Sequence, residues 1–424
     1  MELGRAKSVR GVVRVPPDKS ISHRALFFSS IAKGESEVRN ILESDDVKRT
    51  LNLLKSCGIE FEGSFKKLLV RPRPFREPSK PLYCGNSGTT ARIGMGLLAS
   101  RKGSFVLYGD RSLSKRPMMR VVRPLREMGA TILGREGGAY LPITLNGGDL
   151  KGIEYGSPVA SAQVKSAFIL ASLFASGRSR YRESRKSRDH TERMLRVMGA
   201  NLKEKDGFIE IEPTEELLPL NIEVPGDFSS AAFFVTLGVI HKDADIVIEG
   251  VNLNPTRTGL LRVLERMGAS VEVWIEEDSF ELVGRIRAVT SKLTGTFVSP
   301  EETPQMIDEI PLVALLGAFA EGETVVRGAQ ELRVKESDRI ASVVSELRKM
   351  GIDIEELEDG FIVRGGRPLR SAKNLNAHGD HRIAMLLSIA SLCVGDDGSS
   401  KIKGADWVKI SFPQFYDILK RLVG

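Results

Sequence analysis

A helix that stops at a glycine and leads into an alternating strand recurs along this chain of 424 residues. The glycines that end these helices are 69 to 83 residues apart and are Gly58, Gly129, Gly199, Gly268, Gly351 and the terminal Gly424. Helices that are apolar nearly all round begin near Ser20, Asn86, Ser161, Ser229, Asp308 and Asp380. A helix that is apolar on every side has to be buried, so each repeat is predicted to contain one buried helix, a second helix and several strands. These six repeats predict an α/β chain with two pseudo-threefold domains.

Two short segments rich in proline and glycine mark the expected domain boundaries. They are Pro16-Pro17 and Val224-Pro225-Gly226. We therefore expect a first domain over residues 17–224 and a second domain over residues 1–16 and 225–424, each with three repeats. The last helix ends at Gly424 with no strand after it, so Ser8–Pro16 is predicted to supply the strand that closes the sixth repeat.

The composition favours small anionic substrates over nucleic acid or membrane. The net charge of +7 and the pI near 9.2 indicate an acidic partner, but the basic residues are dispersed and aromatic residues are only 6%, which is low for a protein that stacks bases. No apolar run reaches the ~18 residues of a membrane span, and the N-terminal segment lacks the apolar core of a signal peptide. The three cysteines show no CxxC spacing, which favours a reducing cytoplasm, and no metal-binding motif is present.

Helix starts with basic and hydroxyl side chains are candidate anion-binding sites. DKSISHR at residues 18–24 places Lys19, Ser20 and Arg24 at a helix N-terminus, where backbone N–H groups and the dipole attract anions. An ordinary capped surface helix is the alternative. GNSGTTAR at residues 85–92 consists mostly of residues with small side chains, which let a ligand approach the backbone closely. A tight turn with a hydroxyl cap is the simpler explanation of this segment alone.

Two further segments carry clustered basic residues. In SLSKRPMMR, Pro117 is predicted to begin a helix, which places Arg116 at a helix start where a cation opposes the dipole. Such a charge indicates a bound anion, and a merely solvated arginine is the alternative. In ELRVKESDR, Lys335 and Arg339 share one face if the segment is helical, although a salt-bridged surface helix also explains the pattern.

The remaining segments supply hydroxyl, amide and acidic groups. SPVASAQVKSA is predicted to present Ser161 and Gln163 at a helix start, and MIDEIP places Asp308 before an apolar helix, where a simple N-cap is the alternative. The candidate acids are Asp308 and Glu336, and the candidate basic residues are Lys19, Arg24, Arg92, Arg116, Arg188, Lys335, Arg339 and Arg382. This inventory suits a site for two multiply charged anions, with carboxylates left to transfer protons.

These motifs resemble those of a known enzyme family. From about Val12 to Pro413, the chain resembles the 5-enolpyruvylshikimate-3-phosphate synthase family, its second bacterial class in particular. The motifs that carry the resemblance occur in the same order in that family, and they are DKSISHRA, GNSGTTAR, SKRPM, ASAQVKSA, RDHTERM, LRVKESDR and GDHRIAM. The resemblance implies two domains of three βαβαββ units each, an inside-out α/β barrel. It also implies transfer of the enolpyruvyl group of phosphoenolpyruvate to the 5-hydroxyl of shikimate 3-phosphate, with release of phosphate. No cofactor and no metal are implied, and the expected protein is a cytoplasmic monomer that binds neither nucleic acid nor membrane.

The resemblance also implies roles for particular residues. The residues expected to bind shikimate 3-phosphate are Lys19, Ser20, Arg24, Ser161, Gln163, Arg188, Asp308 and Lys335. Those expected to bind phosphoenolpyruvate are Lys19, Gly88, Arg116, Gln163, Arg339 and Arg382. Asp308, Glu336 and Lys19 are expected to transfer protons, and Gly88 is expected to lie against the site of the inhibitor glyphosate. Many relatives have a lysine where this chain has Ile410, so that substrate contact is not expected here.

Two other functions remain as alternatives. UDP-N-acetylglucosamine enolpyruvyl transferases share the fold, but they commonly carry a cysteine in the loop that here reads SLSKRPM, and they lack the KSxSxR start. An RNA-end-binding protein of similar repeat architecture would explain the basic pI, although the few aromatic residues argue against it.

Overall fold

A computed structural model describes residues 1–214 and 216–424 of the chain. The chain divides into two compact units, one of Pro17–Val224 and one of Met1–Pro16 with Pro225–Gly424. We call them the 17–224 unit and the 225–424 unit. Each contains three repeats.

Every repeat has one buried helix and one amphipathic helix. The buried helices are Lys19–Ser29, Gly88–Ala99, Ala162–Ser172, Phe228–Ile240, Ile310–Phe319 and His381–Leu392. The amphipathic helices are Asp45–Ser56, Met119–Glu127, His190–Val197, Gly259–Arg266, Arg339–Lys349 and Phe415–Leu422. The buried helices of each unit pack against one another, as the apolar sequences predict. In the 17–224 unit the backbones approach so closely that a Cβ on Gly96 would lie 2.2 Å from the carbonyl oxygen of Ala167.

Five repeats share one four-stranded sheet topology, in which the first two strands are parallel and the second pairs antiparallel with the last strand of a hairpin. In the 17–224 unit, the sheets in spatial order are Ile222–Glu223, Ser36–Arg39, Lys67–Arg71 and Glu60–Ser64 in the first repeat; Leu82–Tyr83, Gly103–Tyr108, Tyr140–Gly147 and Thr131–Gly134 in the second; and Glu154–Ser157, Ser179–Glu183, Phe208–Ile211 and Leu202–Lys205 in the third. In the 225–424 unit, they are Val9–Arg14, Ala244–Asn252, Leu282–Val289 and Val271–Asp278 in the fourth repeat, and Phe297–Val298, Glu323–Val326, Gly360–Arg364 and Asp353–Leu357 in the fifth. The second, third and fifth repeats have the order βαβαββ along the chain, and the first and fourth take their first strand, Ile222–Glu223 and Val9–Arg14, from a distant part of the chain. The α/β prediction is confirmed.

Several short elements lie outside these sheets and long helices. Leu293–Thr294 pairs with Ala320–Glu321, Arg135–Gly138 forms a single turn, and the 3-10 helices are Leu113–Lys115, Thr303–Gln305, Gln330–Val334 and Ala405–Ile410. The glycines that end the amphipathic helices have a φ of about +80 to +110°, the left-handed conformation that stops a helix, at Gly58, Gly129, Gly199, Gly268 and Gly351.

The prediction for the N-terminal strand is wrong in its partner. Within the predicted segment Ser8–Pro16, Val9–Arg14 pairs in parallel with Ala244–Asn252 of the fourth repeat. The sixth repeat is completed by Glu2–Gly4, which pairs antiparallel with Ser399–Lys403, and Leu375–Asn376 lies on the other side of that strand. The reason lies in the chain crossings. The strand that directly precedes the fourth repeat, Ile222–Glu223, pairs with Ser36–Arg39 inside the 17–224 unit. The first strand position in the sheet of the fourth repeat is therefore filled by the N-terminal strand Val9–Arg14.

Candidate active site

The first candidate anion site lies at the N-terminus of Lys19–Ser29. The Asp18 carboxylate caps this helix by accepting a hydrogen bond from a backbone N–H of its first turn at 2.9 Å. The surface-helix alternative is wrong, because every residue of the helix after Ser20 is buried. Lys19 Nζ lies 3.2 Å from the Asp46 carboxylate, and the two side chains are 20% and 15% exposed. The ammonium group is thus positioned at the helix start and still reached by solvent.

Arg24 connects the first and third repeats. Its guanidinium is buried and donates from Nε to Thr191 Oγ1 and from NH2 to Ser166 Oγ, both at 2.8 Å. NH1 donates to the Ser20 carbonyl at 3.0 Å, and Arg188 NH1 lies 3.5 Å from the Ser20 hydroxyl. The structure therefore brings Ser20, Arg24 and Arg188 together, and their assignment to one substrate site stays a prediction.

A second cluster surrounds the start of the Gly88–Ala99 helix. Gln163 accepts a hydrogen bond from Arg92 NH1 at 2.7 Å and donates to Thr89 Oγ1 at 2.9 Å. A Cβ on Gly88 would lie 3.0 Å from Arg92 NH1 and 3.7 Å from Arg116 NH1. Two guanidinium groups thus flank the glycine, and Ser161 stands just before the Ala162–Ser172 helix that carries Gln163.

The predicted position of Arg116 needs correction. Pro117 does not begin a helix, since the helix starts at Met119, and Arg116 has an extended backbone after the short helix Leu113–Lys115. A residue that precedes proline is disfavoured in the helical region, which explains the extended conformation and removes the argument from the helix dipole. The solvated alternative is also wrong, because Arg116 is 8% exposed and donates to Ser112 Oγ at 3.3 Å and to the Asn86 side chain.

In the 225–424 unit, the candidate acids and bases converge on Arg339. Its guanidinium donates from NH1 to Asp308 at 3.1 Å, from NH2 to Glu336 at 2.5 Å and from Nε to Asp380 at 2.7 Å. Arg382 NH2 lies 3.6 Å from the second oxygen of Asp308. One buried arginine therefore holds both predicted proton-transfer carboxylates, each on a different nitrogen.

Burial and charge oppose each other in this cluster. Burial works to lower the pKa of the Arg339 guanidinium, but the surrounding carboxylates, Asp380 foremost, raise that pKa above its ordinary value. Burial likewise works to raise the pKa of Asp380, and the adjacent Arg339 charge brings it below its ordinary value. Both groups are therefore ionised at neutral pH. Asp380 also caps its own helix by accepting a hydrogen bond from Arg382 N at 2.9 Å.

The helical interpretation of ELRVKESDR also needs correction. The helix begins at Arg339, with Asp338 as its cap, and Lys335 is extended, so Lys335 and Arg339 do not share a helical face. The salt-bridged surface helix is wrong as well, because Arg339 is 1% exposed. The Asp338 carboxylate accepts from Ala341 N at 3.0 Å, which satisfies a first-turn donor and sets the helix start after Lys335.

The simple N-cap explanation for Asp308 does not hold. The Ile310–Phe319 helix has no side-chain cap, and Asp308 instead contacts Arg339 and Arg382. Its neighbour Glu309 is buried and contacts Arg257.

Two members of these clusters were assigned to neither substrate from the sequence. Arg92, a candidate basic residue there, lies beside Gly88 and Gln163, and its position four residues after Gly88 in one helix was the available signal. Asp380 contacts Arg339 across 41 residues of sequence, a pairing that only the fold reveals. At the C-terminus, Lys409 is exposed and Ile410 is half-buried.

Across residues 1–214 and 216–424, no helix is long and apolar enough to span a membrane. Within the same described residues, no group of three or more His, Cys, Asp or Glu side chains is arranged to hold a metal ion.

Comparisons with known proteins agree with the motifs. The family model described as EPSP synthase (3-phosphoshikimate 1-carboxyvinyltransferase) matches residues 4–419. A 3-phosphoshikimate 1-carboxyvinyltransferase of Thermotoga neapolitana is 51% identical over 100% of both chains, and one of Desulforamulus reducens is 46% identical over 99% of each. The structure of EPSP synthase from Acinetobacter baumannii superposes with a TM-score of 0.88 at 40% identity, covering 99% of this chain and 97% of that one. The chain therefore belongs to the EPSP synthase family.

Proposed function

We propose that this protein transfers the enolpyruvyl group of phosphoenolpyruvate to the 5-hydroxyl of shikimate 3-phosphate. In the addition step, the 5-oxygen loses its proton and bonds to C2 of phosphoenolpyruvate while C3 gains a proton. In the elimination step, C3 loses a proton, the double bond re-forms and the C2–O bond to phosphate breaks. The family membership and the full-length relatives that carry this activity in their names support the proposal.

The observation that carries the proposal is the attachment of Asp308 and Glu336 to separate nitrogens of Arg339. The reaction needs a base at oxygen and an acid at carbon at the same time, and one carboxylate cannot perform both tasks at different atoms. We assign Asp308 to the 5-hydroxyl proton and Glu336, with Lys19, to the methylene carbon.

We assign recognition of shikimate 3-phosphate to Lys19, Ser20, Arg24, Ser161, Gln163, Arg188, Asp308 and Lys335. The proximity of the Ser20 hydroxyl to Arg188, together with the position of Ser161 before a buried helix, supports a phosphate-binding role for this set. Arginine suits this task because its planar donors bind two phosphate oxygens at once.

We assign recognition of phosphoenolpyruvate to Lys19, Gly88, Arg116, Gln163, Arg339 and Arg382. Arg92 and Arg116 flank Gly88, whose missing side chain leaves room for an anion next to the helix N-terminus. Because anions compete with carboxylates for arginine donors, a substrate carboxylate at Arg339 would weaken the hold on Asp308, the base at oxygen, and on Glu336, which has to carry a proton before it can donate it to carbon.

We further propose a cytoplasmic monomer in which the 17–224 and 225–424 units are enolpyruvyl-transferase-type domains of three repeats each. The three cysteines without CxxC spacing support a reducing compartment. Light scattering on the purified protein tests the monomer, and a mass of twice 46.6 kDa would contradict it.

Phosphate release tests the activity. The protein is mixed with phosphoenolpyruvate and, in separate reactions, with shikimate 3-phosphate, UDP-N-acetylglucosamine or a short RNA. We expect phosphate only with shikimate 3-phosphate. Release with the nucleotide sugar would instead identify the related transferase, and binding of RNA without release would favour the nucleic-acid alternative.

A further inference from the structure

Asp308 and Glu309 are consecutive in the chain, yet they belong to two separate arginine clusters. Asp308 contacts Arg339 and Arg382, whereas the Glu309 side chain contacts Arg257, with NH1 of Arg257 3.2 and 3.4 Å from its two oxygens. The backbone between the two carboxylates is thus held from both sides. Everything that fixes Glu309 also limits the movement of Asp308.

The Arg257 cluster is buried and ionic. The Arg257 side chain is 2% exposed and that of Glu309 is 0% exposed. Ser229 contacts both Arg257 and Glu309 through its hydroxyl, and Arg257 NH2 lies 3.4 Å from Asp227, the residue that caps the Phe228–Ile240 helix. Because a buried charge without its counter-charge is costly, Glu309 is held in place strongly.

A backbone contact connects the same two segments. The Gly259–Arg266 helix begins two residues after Arg257, and a Cβ on Gly259 would lie 3.1 Å from Met306 Cβ and 3.3 Å from the backbone carbon of Gln305. Glu309 N donates to the Met306 carbonyl at 2.8 Å, which closes the turn that carries Asp308. The segment that starts at Arg257 therefore packs against this turn.

We propose that Glu309 and Arg257 are positioning residues that hold the Asp308 carboxylate for proton transfer. The inference rests on the proposed function, because it gives Asp308 the 5-hydroxyl proton. Neither Glu309 nor Arg257 is assigned a substrate contact. A displacement of about 1 Å at a catalytic group commonly lowers the rate about 100-fold, so loosening this turn lowers kcat more than it lowers substrate affinity.

The test compares Glu309→Gln with Glu302→Gln. Glu302 forms an ion pair with Arg266 at 2.8 Å, with side chains that are 24% and 40% exposed, and it joins the same two segments, so it is a control for the loss of one carboxylate outside the buried cluster. We expect Glu309→Gln to lower kcat about tenfold or more while the Kd of shikimate 3-phosphate changes less than about threefold. The control should keep kcat within about twofold.

The double variant separates positioning from general destabilisation. If Glu309 acts through Asp308, then Glu309→Gln added to Asp308→Asn should lower single-turnover phosphate release by less than about twofold further. An undiminished effect of Glu309→Gln in the Asp308→Asn background, or unchanged kcat in the single variant, would overturn the proposal. If Glu309→Gln does not fold, Ser229→Ala serves instead, since it removes the shared hydroxyl and keeps all charges, with kcat expected to fall about threefold or more.

Failure of the proposed function would look different. Full activity of Asp308→Asn with phosphoenolpyruvate and shikimate 3-phosphate would remove Asp308 from the chemistry, whatever Glu309→Gln does. An inactive Asp308→Asn together with a fully active Glu309→Gln would leave the proposed function in place and refute only the positioning role.

Discussion

Replacing Arg116 by alanine tests the assignment of the phosphoenolpyruvate site. The side chain is 8% exposed and donates to Asn86 and Ser112, and the proposed function adds a charge-assisted contact with the substrate, which the alanine variant loses. Such a contact contributes about 1.5–3 kcal/mol, which corresponds to an increase of about 10- to 150-fold in the KM for phosphoenolpyruvate. A bidentate contact would place the result at the upper end of this range.

The assay is steady-state phosphate release with phosphoenolpyruvate varied at saturating shikimate 3-phosphate, with calorimetry of shikimate 3-phosphate alone. The binary Kd should stay within about twofold, because Arg116 is assigned to the other substrate. Arg111→Ala is the matched control, since Arg111 lies in the same loop but is exposed. Loss of binary binding in Arg116→Ala, or an equal rise of the phosphoenolpyruvate KM in Arg111→Ala, would remove Arg116 from the phosphoenolpyruvate site.

Three other substitutions should alter glyphosate inhibition, the pH dependence of stability and the free energy of unfolding. Gly88→Ala places a methyl group 3.0 Å from Arg92 NH1, so the inhibition constant of glyphosate should rise about tenfold or more. The KM for phosphoenolpyruvate should rise by a smaller factor, and equal factors would contradict the prediction. Burial holds the pKa of His23 well below 6.5, so as the pH falls below 6.5 only the unfolded state binds a proton at this residue and the free energy of unfolding decreases. Urea unfolding at several pH values should show that this decrease is less steep in His23→Asn. An identical decrease in the variant and the unmodified protein would contradict the prediction. Lys165→Met removes the ammonium group that lies 2.8 Å from the buried Glu192 carboxylate. The free energy of unfolding, measured in urea, should therefore fall by about 3–5 kcal/mol. An unchanged value would show that this ion pair does not stabilise the fold.

Repeats and motifs are readable from the sequence because they depend on local chemistry. The glycine stops at Gly58 and Gly351 reflect a left-handed backbone that other residues resist, and the caps at Asp18 and Asp380 reflect unpaired helix donors. Such signals need no knowledge of distant contacts. The six repeats could be counted from the sequence for that reason.

Pairings between distant segments could not be predicted in the same way. Val9–Arg14 has the same alternating pattern whichever strand it joins, so its partner in the fourth repeat depends on the chain crossing and not on its residues. The separation of Asp308 from Glu309 into two arginine clusters depends on Arg257 and Arg339, which lie far away in sequence. Local spacing instead suggested a helix cap for Asp308.

The step that defines the proposed function is transfer of the enolpyruvyl group to the 5-oxygen of shikimate 3-phosphate. Proton nuclear magnetic resonance of the reaction mixture, with phosphate measured in parallel, tests it most directly. We expect a new pair of vinyl proton signals from an enol ether at the 5-position and one phosphate released for each ether formed. Phosphate released without any ether, or an ether formed only when UDP-N-acetylglucosamine is the acceptor, would contradict it.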